Sequence, residues 1–92
     1  MARPLESQLY RTLVDSRFQF IRRGTIEIND IYDTVKREFN NLCDDEYPCS
    51  HYKHVGLHQS EWKHRVRGAL QRCKKIYDDI EYSGRRGYWI FS

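Results

Sequence analysis

An α+β domain of three helices and a small antiparallel sheet is the fold class this sequence predicts. Three observations predict it. The chain has 92 residues, 39% of them hydrophobic and 14% aromatic, enough for one modest core and one domain. Apolar residues recur at helical spacing in three separate segments. Two β-prone runs flank a turn with two glycines at the end of the chain.

Each element follows from local chemistry. Pro4 suits a first helical turn, where a missing N–H costs nothing. Leu5, Leu9 and Leu13, with Tyr10, Val14, Phe18 and Ile21, continue at spacings of a helix, which predicts one over 5–22 closed by Gly24. Thr25-Ile26-Glu27-Ile28 alternates and is β-branched, so it reads as a short strand. Asn29 is a good N-cap and Asp30 complements the helix dipole, opening a helix over 29–42 with Ile31, Val35, Phe39 and Leu42 on one face. Residues 43–58 have no period and are punctuated by Asp, Pro, Ser and Gly. A third helix spans 60–75, capped by Ser60 or Gln59, with Trp62, Val66, Ala69, Leu70 and Cys73 inward. Lys63, His64, Arg67, Gln71 and Lys74 then point away from the core. Ile80 and Tyr82 alternate, residues 83–87 turn, and Tyr88-Trp89-Ile90-Phe91 is strongly β-prone. The order helix, strand, helix, helix, strand, strand is that of a winged helix, with residues 1–92 as a single domain and the last hairpin as the wing.

Charge is placed unevenly. Residues 1–59 hold eight Lys/Arg and nine Asp/Glu, whereas residues 60–92 hold eight Lys/Arg and four Asp/Glu. A cationic element on a near-neutral domain is a footprint expected for nucleic acid, and in a winged helix the third helix enters the major groove. Double-stranded DNA is therefore the expected partner. The same charge run would also suit a solvated helix face, and a winged-helix protein-interaction or dimerisation module is the alternative function.

Other classes are less well served. No apolar run approaches a membrane span, and Met-Ala-Arg-Pro-Leu-Glu lacks the apolar stretch of a secretory signal, so a cytoplasmic protein without membrane contact is expected. Three cysteines, an odd number, fit reduced thiols better than a disulfide framework. Cys43, Cys49, His51, His54 and His58 offer five potential zinc ligands, but their spacing does not match a standard finger. No metal or cofactor is expected. Asp44 and Asp45 with nearby histidines are the only cluster an enzyme could use, and a binding domain is the expectation.

The segment from Trp62 to Ser92 carries Trp62, Arg65-Val66, Ala69 and Arg86-Gly87-Tyr88-Trp89. In this it resembles the N-terminal winged-helix domain of Mrr-type restriction endonucleases, which show the same residues along the recognition helix and last hairpin. The insertion at 43–58, ahead of Trp62, departs from that pattern and looks more like the versions found in BisI-like, modification-dependent endonucleases. The resemblance implies a DNA-targeting domain of a restriction endonuclease, fused to a nuclease domain elsewhere in a longer chain. It also implies reading of 5-methylcytosine.

The candidate DNA-binding residues are Gln59, Ser60, Lys63, His64, Arg65 and Arg67 near the start of the third helix, with Arg85 and Arg86 in the wing. Arg pairs bidentately with guanine, Gln with adenine, and Ser reaches phosphate or base. Arg65 has a competing reading, its stem packed beside Trp62. Trp62, Trp89 and Phe91 have core spacing. In the irregular loop, Tyr47, Tyr52 and His54 supply rings, and Asp44 and Asp45 supply acceptors for a cytosine amino group. Together they form a candidate modified-base pocket. The alternative for the loop is one packed by its own side chains.

Overall fold

The computed structural model describes residues 4–48 and 60–92. Helix α1 (Pro4–Ser16) leads to strand β1 (Gly24–Glu27), helix α2 (Ile28–Glu38) and a 3-10 turn (Asn40–Leu42). Helix α3 (Glu61–Ile76) and strands β2 (Ile80–Tyr82) and β3 (Tyr88–Phe91) follow. The strands form one antiparallel sheet in the order β1-β3-β2, so the last strand is central. The result is a small α+β domain with three helices and a three-stranded antiparallel sheet, as the sequence predicts. Among the described residues, no helix is long and apolar enough to cross a membrane.

Helix α3 is the structural axis. Its inward stripe of Trp62, Val66, Ala69, Leu70 and Cys73 is buried, as its spacing predicts. Leu9 and Leu13 of α1, Ile31 and Val35 of α2, and Ile26, Ile80, Trp89 and Phe91 of the sheet complete the core around it. Each such side chain, fully removed from water, stabilises the fold by about 1.5–3 kcal/mol. Helices α1 and α3 approach closely, with the Tyr10 ring 3.6 Å from where a Cβ would sit on Gly68.

Four local expectations are corrected. Helix α1 ends at Ser16 rather than 22, because Arg17 and Phe18 take left-handed φ of 56° and 53°. Successive turns follow, with Arg17 N–H donating to Val14 O, Gln19 N–H to Ser16 O and Ile21 N–H to Phe18 O. Phe18 and Ile21 are still buried, so their apolar spacing continued past the helix they were assigned to. Gly24 is accordingly no helix terminus: it opens β1 at φ +123°, paired with Phe91.

Helix α2 starts one residue early and stops at Glu38, not Leu42. Its N-cap is Glu27, whose carboxylate accepts from Asn29 N–H at 3.0 Å, so Asn29 lies inside the first turn instead of capping it. Phe39 at φ −128° breaks the helix, and the 3-10 turn brings Leu42 back to the core. Phe39 packs edge-on against Phe20, centroids 5.2 Å apart.

Candidate nucleic-acid interface

The hairpin is held in place by its own turn and by α2. Gly84 and Gly87 both take φ +86°, a conformation that side chains with a Cβ rarely adopt. Ser83 Oγ donates to Tyr88 O at 2.8 Å and accepts from Arg85 N–H at 3.1 Å. Gly87 O accepts from Ile28 N–H at 2.7 Å, satisfying one of the donors that a helix start leaves open. That bond ties the hairpin turn to the start of α2.

Helix α3 presents two basic flanks. Lys63, Arg67 and Gln71 recur four residues apart and share one side. Arg67 Nη1 donates to Tyr32 Oη at 2.9 Å, and Lys63 Nζ lies 5.4 Å from the centroid of the same ring. The Tyr32 ring is buried and meets Trp62 edge-on at 5.8 Å, so it is a fixed support, with Lys63 over its face and Arg67 on its hydroxyl. Arg65 falls on the other flank, where its Nε donates to the buried Glu61 carboxylate at 3.0 Å. His64 is half-buried, one position on from Lys63.

Arg67, Gln71 and Arg86 meet in one cleft of about 440 Å3 between α3, the hairpin and the first turn of α2. Asn29, Tyr82 and Trp89 also line it. Its described lining holds two guanidinium groups and no carboxylate. Arg85 takes another place, its guanidinium carbon 4.4 Å from the Tyr88 ring centroid. The hairpin thus splits its two arginines, one stacked on its own strand and one shared with α3.

The described part of the irregular loop docks on the start of α3. Ser60 is the N-cap, yet its Oγ donates to Asp45 O at 3.0 Å rather than to the helix. Tyr47 O accepts from Glu61 N–H at 2.9 Å, and Pro48 bridges Ser60. The Asp45 carboxylate accepts from Trp62 Nε1 at 2.8 Å and pairs with Lys36. The Lys36 hydrogen bond, then that from Trp62, holds the Asp45 carboxyl below its ordinary value. Asp44 Oδ1 accepts from Glu46 N–H at 2.9 Å. Both acceptors assigned to a cytosine pocket are therefore already engaged in shaping the loop. Gln59, Tyr52 and His54 lie outside the described residues, as do Cys49, His51 and His58 of the possible zinc set. Cys43 is buried in the core, and desolvation pushes its thiol up to about 11, whereas zinc binds the thiolate.

Sequence reasoning missed three contributors. Gln71 was readable, four residues beyond Arg67 on the same stripe. Tyr32 and Asn29 come from α2, and only the tertiary packing of α2 beside α3 brings them to this face. No protein-family model, no curated protein and no solved structure matches the chain.

Proposed function

We propose that the chain is a winged-helix domain that binds double-stranded DNA and performs no chemistry itself. The supporting observation is that Arg67 and Gln71 of α3 line one cleft with Arg86 of the hairpin, with Lys63 one turn before Arg67 on the same helix stripe. In a winged helix these are the recognition helix and the wing, and α2 braces both through Tyr32 and Ile28. Guanidinium and carboxamide groups on such a face suit phosphate and base-edge contacts together. The resemblance in Trp62–Ser92 makes the domain the targeting part of a restriction endonuclease whose nuclease domain is separate.

Titration with duplex DNA at several salt concentrations tests this reading. Affinity falls with a log–log slope of about −0.9 per neutralised phosphate. Affinity independent of salt, or no duplex binding with self-association instead, favours the protein-interaction module. Matched duplexes with and without 5-methylcytosine belong in the same titration. One methyl in apolar contact contributes about 0.8 kcal/mol, so about fourfold tighter binding of the methylated duplex is expected. Equal affinity removes the methylcytosine preference and leaves duplex binding intact.

A further inference from the structure

A helix laid in a groove needs a convex cationic surface, yet the face described above is hollow at its centre. We propose that the cleft between α3 and the hairpin seats a single nucleotide, with its base on the Tyr82–Trp89 wall and its phosphate on Arg67 and Arg86. Only the source of that nucleotide rests on the DNA-binding reading.

Size, wall and polar groups agree. The cleft, at about 440 Å3, falls within the range of about 300–1,000 Å3 usual for small-molecule sites. Tyr82 and Trp89 are cross-strand partners whose rings meet edge-on, centroids 5.3 Å apart. Trp89 is 5% exposed and Tyr82 40%, so the tyrosine ring reaches solvent from a buried support. An exposed ring braced in this way is a stacking platform for any base. Gln71 supplies a carboxamide, the group that pairs with base edges.

The alternatives use only part of this lining. An inorganic anion would use the two arginines and leave the ring and carboxamide idle. An acidic peptide would engage the arginines and the carboxamide but offers no flat base for the exposed ring. A depression of similar size, about 420 Å3, lies along another face of α2, but its Arg22 and Arg37 are accompanied by Asp30 and Asp33. That lining carries carboxylates of its own, whereas the described lining of the cleft under the hairpin holds none.

The test is an NMR titration of the 15N-labelled chain with each deoxynucleoside monophosphate, and with inorganic phosphate at the same concentration. At least one nucleotide is expected to shift the Gln71 side-chain amide, the Trp89 indole and the Tyr82 and Gly87 backbone amides, with phosphate failing to move Tyr82 and Trp89. Gln71→Ala, at an exposed helix position that favours Ala, keeps the fold and weakens nucleotide binding about three- to tenfold. Tyr82→Ala weakens it at least fivefold, and Arg11→Ala on the exposed side of α1 leaves it unchanged. Titration with duplex identifies the source: a duplex that moves the Tyr82 and Trp89 signals as the mononucleotides do, and competes with them, assigns the seat to a base turned out of DNA, and a bound duplex that leaves those signals unmoved assigns it to a free nucleotide. Silence of the cleft signals towards every mononucleotide while the duplex binds, or full reproduction of the shifts by phosphate, overturns the proposal and spares the DNA reading. Nucleotide binding without duplex binding does the reverse.

Discussion

Asp45 shows how one side chain sets the geometry of a loop. Its carboxylate joins Lys36 of α2 to the Trp62 indole of α3, while its backbone carbonyl accepts from Ser60 Oγ. The carboxyl is held below its ordinary value, so its contribution to stability is complete above the ordinary range and is lost as pH falls through the lowered value. The side chain is 58% exposed, and screening keeps the ion pair's share small. Asp45→Asn is expected to lower stability by about 0.5 kcal/mol at pH 7, with the difference from the parent shrinking below about pH 4. Denaturant melts at several pH values check this, and a difference that grows on acidification contradicts it. The two described thiols follow the opposite sign. Desolvation pushes Cys43 and Cys73 up to about 11 from 9.0, so native stability is complete below pH 9 and falls as the medium approaches the native value. At pH 8 both are expected to resist iodoacetamide in the folded chain and to react in concentrated urea, as peptide mapping will show. Rapid native alkylation of Cys73 would mean that α3 is not packed as described.

At the scale of elements, the hairpin depends on backbone geometry more than on contacts. A Cβ on Gly87 would meet Ile28 Cγ2 at 3.7 Å, an ordinary contact, so space does not forbid a side chain there. The φ of +86° does. Gly87→Ala is expected to cost about 1–2 kcal/mol in thermal or denaturant melts. It should also weaken DNA binding, because the Gly87 carbonyl that anchors the turn to Ile28 N–H sits next to Arg86. A neutral substitution there would show that the turn relaxes freely. The same backbone reasoning marks how much of the fold the sequence discloses. α3 and the hairpin were legible because one period runs uninterrupted along each and Gly84 and Gly87 punctuate the turn. The end of α1 was not, because Arg17 and Phe18 enter left-handed space without glycine. Long-range partners hold them there: Arg17 pairs with Asp79 at 3.4 Å and stacks 4.2 Å from the Tyr77 ring, and Phe18 packs 6.0 Å from Phe91. No local pattern announces contacts of that kind. The Glu27 cap escaped notice for a simpler reason, since Asn two residues later is the better capping residue by propensity.

For the whole molecule, the question is whether the positive charge of α3 acts as a diffuse field or as a face. Sequence alone placed Lys63, Arg65 and Arg67 together as one basic start to the helix. The structure divides them: Arg67 bonds the Tyr32 hydroxyl and lines the cleft with Arg86, Lys63 lies over the Tyr32 ring one turn earlier beside Lys36 and Asp45, and Arg65 is paired to Glu61 on the far flank beside the exposed Arg72. Attraction through net charge would not notice this division, because removing any one of the five cations lowers the net charge by the same unit. Direct phosphate contact would notice it, since a contact needs a side chain within reach of the DNA backbone that α3 and the hairpin would straddle under the proposed reading. Lys63→Ala, Arg67→Ala and Arg86→Ala are therefore expected to weaken duplex binding. Each should also reduce the log–log salt slope by about 1 if its side chain neutralises one phosphate. Arg72→Ala should leave the slope unchanged. Arg65→Ala should leave it unchanged as well but lower stability, because the Glu61 carboxylate, 8% exposed, is then without its cation. Circular dichroism melts alongside the titrations separate that stability effect from binding. Equal weakening by all five substitutions would mean that the domain attracts DNA through net charge alone, and the division of α3 into two flanks would then have no part in recognition.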